Sequence, residues 1–142
     1  MDIVAFIVQA QQSQTQPDVS TLLGTVMLGL GVVFVLSVVT TGFVAKKINN
    51  ISEPSYSKAF GATFFKNILF WPGFMMGLHV TQLNPLVVFI VAATLIPLVI
   101  YKTVFGSLWR EAAVIWLIVS IQEFALGYVL TLAGAMSFQA FT

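Results

Sequence analysis

The residues with the clearest capacity for chemistry are a carboxyl and an amide inside an apolar run. Glu123 and Gln122 lie near the middle of segment 112–136, which is about 25 residues long and, as a helix, crosses a membrane core of about 30 Å. A carboxylate at that depth costs about 3 kcal/mol on insertion scales. We therefore expect Glu123 to be protonated, paired or turned away from lipid, either as a polar contact between helices or as a site for a proton or cation.

A hydrogen-bond partner for Glu123 is predicted in another apolar segment. Thr94 lies at the same depth if its span runs over 85–101. Pro97 lacks an N–H and so leaves the carbonyl of Ala93 without its helical donor. We hypothesise that a neutral Glu123 donates to that carbonyl or exchanges a hydrogen bond with the Thr94 hydroxyl.

His79 is the single histidine of the chain, and it lies about two helical turns nearer the outer surface than Glu123. A direct pair of the two needs a tilted or kinked second span, which Pro72 permits. If Glu123 instead titrates in an ion path, polar residues at successive depths should lead to it. The candidates are few and include no second acid: Gln82, His79, Thr94, Ser37 and Thr40.

Composition excludes several other kinds of site. With one histidine, no cysteine and one acid inside an apolar segment, the chain lacks the ligand set of a metal centre. It has no HExxH motif, nucleophile elbow or phosphate-binding loop, so we predict no enzyme activity and no cofactor. The net charge is only +1, and the basic residues are scattered, which argues against a nucleic-acid partner.

The composition indicates an all-α integral membrane protein. Charged residues make up 8% of the 142 residues and hydrophobic residues 58%, whereas a soluble domain needs several times more charge to cover its surface. Apolar runs predict one transmembrane domain, 19–142, with four helices arranged as two helical hairpins. The spans are predicted at about 19–45, 57–83, 85–101 and 112–136.

Residues 1–18 are predicted to form an arm that precedes the first span. The apolar residues within 1–10 repeat with a helical period, which suits a short N-terminal interfacial helix, and 11–18 is a polar linker. The alternative is a secretory signal, against which stand Asp2 and the short apolar core.

The second span begins with lysines among phenylalanines. Lys58 and Lys66 alternate with Phe60, Phe64 and Phe65. This pattern is typical of an amphipathic segment at the lipid headgroups, so we expect both ammonium groups to reach water.

Small residues predict the faces along which helices pack. Gly73 and Gly77 form a GxxxG pair in the second span, and Gly29 and Gly31 lie in the first. In the last span, steps of three and four residues place a stripe of small and polar residues on the face of Glu123: Ser120, Gly127, Thr131 and Gly134. Gln122 points about 100° away from that stripe.

The basic residues predict the orientation. All six fall in, or at the rim of, the connections between spans one and two and between spans three and four: Lys46, Lys47, Lys58, Lys66, Lys102 and Arg110. By the positive-inside rule these two loops are cytoplasmic and both termini lie outside, a bias typical of a bacterial inner membrane.

The leading interpretation is a small non-catalytic membrane subunit. It is expected to lie among membrane lipids and to pack against other integral membrane subunits, or against copies of itself, so that it stabilises or completes a larger complex. The alternative is an ion- or proton-conducting transporter or channel subunit in which Glu123 is the working acid.

Overall fold

The computed structural model describes residues 19–140, without the side chains of Leu22 and residues 135–140. Every regular element in this part of the chain is a helix: α1 spans Val19–Lys47, α2 Tyr56–Thr81, α3 Pro85–Phe105 and α4 Trp109–Ala140. The prediction of an all-helical protein is confirmed for these residues. The predicted arm, 1–18, lies outside them.

Three of the helices are long and apolar enough to cross a membrane. They are α1, α3 and the part of α4 that ends at Gly134. These helices indicate a membrane protein, as the composition predicts. α2 is not among them, and it carries Lys58, Lys66 and His79.

The chain divides into two compact units, one up to Val32 and one from Val33 onward. The described part of the first unit is a helical segment in which a Cβ atom at Gly24 or Gly31 would meet no described atom within 4 Å. The second unit contains the end of α1 and the three other helices. It holds the packed core and the polar site.

Side-chain caps explain where α2 and α3 begin. The Ser55 hydroxyl accepts a hydrogen bond from the backbone N–H of Lys58 at 3.2 Å. The Asn84 side chain accepts from the N–H of Leu86 at 2.9 Å, and Pro85 occupies the first helical position. Both caps satisfy N–H groups that a helix start leaves without a partner.

The connection between α3 and α4 is shorter than the basic loop 102–110 predicted from the sequence. Gly106 ends α3 with φ of 59°, a left-handed conformation that glycine adopts without strain. The Glu111 carboxylate accepts a hydrogen bond from the N–H of Leu108 at 2.9 Å. This cap lets α4 begin at Trp109, so the connection is reduced to residues 106–108.

The buried core of the second unit lies at one end of the helices. This end, which carries the connections 48–55 and 106–108, is called the basic end below. Side chains from all four helices are buried there, and the largest fully buried apolar or aromatic ones are Tyr101, Phe105, Ile115 and Val119.

Lysines pack over aromatic rings at both connections of the basic end. The Lys46 ammonium lies 4.0 Å from the ring centre of Tyr56, and that of Lys102 lies 4.8 Å from the ring of Trp109. Such cation–π contacts contribute about 0.5–1 kcal/mol at exposed sites. Each contact ties the last turn of one helix to the first turn of the next.

Two of the three glycines of α2, Gly73 and Gly77, lie directly against α3. A Cβ atom at Gly73 would come within 2.6 Å of Ile96 Cδ1, and one at Gly77 within 2.7 Å of Val88 Cγ1. Real Cβ contacts are longer than this, so the close approach of α2 and α3 depends on the missing side chains. Away from the basic end, this glycine seam joins the two helices.

Candidate functional site

Lys66 is buried inside the protein, which corrects the prediction that its ammonium group reaches water. It lies on the face of α2 that the core covers, together with Ala59, Ala62 and Thr63. Steps of three and four residues align these side chains on one side of the helix. Only 8% of the Lys66 side chain is exposed, so its charge requires a partner.

The partner of Lys66 is Glu123. The Lys66 ammonium forms an ion pair with Glu123 Oε1, and the Ser37 hydroxyl donates to the same oxygen over 2.7 Å. Ser37, Lys66 and Glu123, called the polar site below, thereby connect α1, α2 and α4. Charge-assisted hydrogen bonds of this kind are about twice as strong as neutral ones.

The predicted contact of Glu123 with Ala93 or Thr94 is wrong. The Ala93 carbonyl, which Pro97 leaves without a helical donor, accepts instead from Trp116 Nε1 at 3.0 Å. The Thr94 hydroxyl donates to the backbone carbonyl of Ile90, 2.8 Å away. The Trp116 indole N–H therefore donates the hydrogen bond to the Ala93 carbonyl that the sequence predicts for Glu123.

The other two predicted site residues make no hydrogen bond to Glu123. His79 is exposed near the far end of α2. Gln122 is half-buried beside Glu123 in sequence, and its buried Oε1 accepts no hydrogen bond from the described residues.

Three further polar side chains, on α1, α2 and α3, are fully buried. They are Thr41, Thr63 and Tyr101. The Thr63 hydroxyl makes no hydrogen bond within the part of the chain that the structure describes, whereas the Thr41 hydroxyl lies within hydrogen-bonding reach of the Tyr101 phenol. The charge of Glu123 acts on the Tyr101 phenol, and Thr41 lies beside that phenol, so these groups extend the polar site towards the basic end.

The small-residue stripe of α4 separates into two parts. Ser120 and Glu123 are half-buried, whereas Gly127, Thr131 and Gly134 are exposed. A Cβ atom at Gly127 or Gly134 would meet no described atom within 4 Å. Beyond the polar site, the described residues of the second unit therefore leave this face of α4 uncovered, and we call Gly127, Thr131 and Gly134 the open α4 face.

The two glycines of α1 predicted to pack, Gly29 and Gly31, belong to the first unit. Gly31 is exposed, and Gly29 is half-buried. A Cβ atom at Gly31, like one at Gly127 or Gly134, would meet no described atom within 4 Å, unlike one at Gly73 or Gly77.

Sequence reasoning missed Lys66, although a signal was present. Ser37 lies ten residues before the end of α1 and Lys66 ten residues after the start of α2, so both are about 15 Å from the basic end. Because the two residues lie at the same depth, they could have been predicted to be neighbours. Grouping Lys66 with the charges of the loop conceals this signal.

Comparison of the chain with protein-family models, with curated proteins and with solved structures gives no match.

Proposed function

We propose that this protein is a small non-catalytic membrane subunit that packs against another integral membrane protein or a second copy of itself. The observation that carries the proposal is the open α4 face. Three small residues, Gly127, Thr131 and Gly134, share one side of an apolar helix, and no described residue fills the space beside them. Small residues on such a face allow the backbone of another helix to approach closely.

The proposed topology has four spans, with both termini outside and the basic end in the cytoplasm of a bacterial cell. α2 serves as the fourth span because Lys66 is paired with Glu123 inside the protein. The pair removes the cost of facing either charge to lipid. The lysines at the basic end then lie on the cytoplasmic side, in agreement with the positive-inside rule.

The test is a photo-crosslinking amino acid placed at Thr131 in native membranes. The matched control is the same group at Val80, which is exposed on α2. We expect a protein adduct from position 131 and none from position 80, because the latter faces lipid in the proposed arrangement. The adduct's mass distinguishes a second copy from a different protein.

A second substitution sharpens the result. Gly127→Leu fills the open α4 face and should abolish the adduct, whereas Gly61→Leu, at a glycine that is also open on one side, should not. If position 131 forms only lipid adducts in the membranes of its native host, the subunit proposal is wrong.

A second candidate function is proton or cation conduction through Glu123, the alternative weighed from the sequence. The polar site favours it, because an ionisable pair inside a membrane protein often marks an ion path. Flux in proteoliposomes, compared between the wild type and Glu123→Gln, tests this candidate. Wild-type flux that the substitution abolishes supports it, and no wild-type flux excludes it for the isolated chain.

A further inference from the structure

The buried polar groups of the second unit form a graded series between the basic end and Glu123. At about 1.5 Å per helical residue, Tyr101 lies about 6 Å from the end of its helix, and Thr41 and Thr63 lie about 9 and 10 Å from the ends of theirs. Ser37 and Lys66 follow at about 15 Å and Glu123 at about 21 Å. Polar side chains thus occur at successive depths on all four helices.

Several of these groups retain unused hydrogen-bonding capacity. The Thr63 hydroxyl is buried and makes no hydrogen bond to any described residue. The buried Thr41 and Tyr101 hydroxyls lie within reach of each other, but a bond between them uses only one of their two O–H donors. The Lys66 ammonium has three N–H donors, and its one bond to a described residue goes to Glu123. A buried hydroxyl without a partner costs about 1–3 kcal/mol, so the Thr63 hydroxyl and the unused O–H of the Thr41–Tyr101 pair call for a ligand.

The mixture of donors and acceptors selects the chemistry of that ligand. A cation is disfavoured because Lys66 is positively charged, and an anion is disfavoured because Glu123 is negatively charged. Hydroxyls both donate and accept, the ammonium donates, and the carboxylate accepts. Water matches this set, since a buried water molecule forms about three hydrogen bonds to polar groups that otherwise lack partners.

We propose that bound water molecules occupy the space among Thr41, Thr63 and Tyr101 and extend to the Lys66–Glu123 pair. The water gives these hydroxyls their missing partners and hydrates the ammonium group. It also links the polar site with the basic end of the protein. This inference does not depend on the proposed partner of α4.

The first test compares isosteric substitutions in the purified full-length chain. Thr41→Val and Thr63→Val remove a hydroxyl and keep the shape of the side chain. The matched control is Thr103→Val, because the Thr103 hydroxyl is exposed and bonded within its own helix to Val99. With water bound, Thr63→Val loses hydrogen bonds and should lower the midpoint of thermal unfolding by about 3–8 °C, while the control changes little. Thr41→Val should lower the midpoint as well, but it also removes the contact with the Tyr101 hydroxyl, so the Thr63 variant decides the test.

Hydroxyls that lack partners predict the opposite sign, because valine then removes a desolvation cost. A midpoint that rises or stays unchanged in Thr63→Val therefore overturns the proposal. A second measurement, water-to-protein magnetisation transfer by solid-state NMR in bilayers, does not depend on stability. Transfer to Thr41 and Thr63 should be faster than to the equally buried Ile115 and Val119, and equal rates also overturn the proposal.

Discussion

The two halves of α2 are joined to the rest of the protein in different ways. Near the basic end, Lys66 reaches across to Glu123 of α4, and the contact consists of an ion pair and a hydrogen bond from Ser37. Farther along, Gly73 and Gly77 bring the backbone of α2 against Val88 and Ile96 of α3. The first contact depends on charge and the second on the absence of side chains.

The difference shows why a lysine and two glycines occur on one helix. An apolar surface gives little preference for one neighbour over another when lipid is equally apolar, so packing alone leaves the neighbour of α2 poorly specified. A buried charge is costly unless its particular partner is present. In α2 the glycines supply close contact with α3, whereas Lys66 specifies the position of α4.

Loss of one charge should give the largest effect. Glu123→Leu leaves the Lys66 ammonium buried without its carboxylate, and we expect a loss of about 3–5 kcal/mol in the free energy of unfolding. Lys66→Leu should cost less, because Glu123 keeps the hydrogen bond from the Ser37 hydroxyl, whereas the bond of Lys66 to a described residue goes to Glu123 alone. Denaturant titration in mixed micelles measures both.

The double variant Lys66→Leu/Glu123→Leu is the control for the charge-based contact. It removes both charges, so it should recover much of the stability that Glu123→Leu loses. A double variant that is less stable than either single variant would show that packing volume, and not charge pairing, dominates this contact.

The glycine seam should respond with a smaller effect that differs between its two positions. Gly77→Ala places a methyl group against Val88 Cγ1, and the β-branched valine has few other rotamers in a helix. We expect a loss of about 1–2 kcal/mol in unfolding free energy. Gly73→Ala should cost less, because the Ile96 Cδ1 atom it meets is the mobile end of a longer side chain. Equal losses at the two positions contradict this explanation.

The smallest effect is expected at the open α4 face, and its sign should be opposite. Gly127→Ala adds a methyl group that meets no described atom, and alanine is the better helix former. The unfolding free energy of the isolated chain should therefore rise by about 0.5–1 kcal/mol. A loss at Gly127 similar to that at Gly77 would show that the chain itself covers this face.

Much of the helical framework follows from the sequence, because apolar length and turn residues are local signals. Pro85 and the break before Tyr56 place helix starts correctly or within one residue. Hydropathy predicts the start of the last span too late, at Ala112, because α4 begins at Trp109 with the Glu111 side chain as its cap. Such errors arise where a side chain, and not the hydropathy, determines the boundary.

The polar site could be predicted only in part. Glu123 stands out because it is an acid in an apolar run, but its partner depends on which helices are neighbours. Depth alone favoured Thr94, and the structure pairs Thr94 with its own helix. Small-residue spacing has the same limit, since it marks both Gly77 and Gly127, and among the described residues Gly77 lies against another helix whereas Gly127 does not.

The Lys66–Glu123 pair also has a consequence for biosynthesis. The two residues are 57 positions apart in the chain, so a ribosome completes α2 well before it produces the carboxylate that pairs with Lys66. If α2 crosses the membrane as proposed, its lysine must remain at the lipid surface or beside the translocation machinery until α4 arrives. Membrane insertion of α2 is then completed only when the last helix has been synthesised.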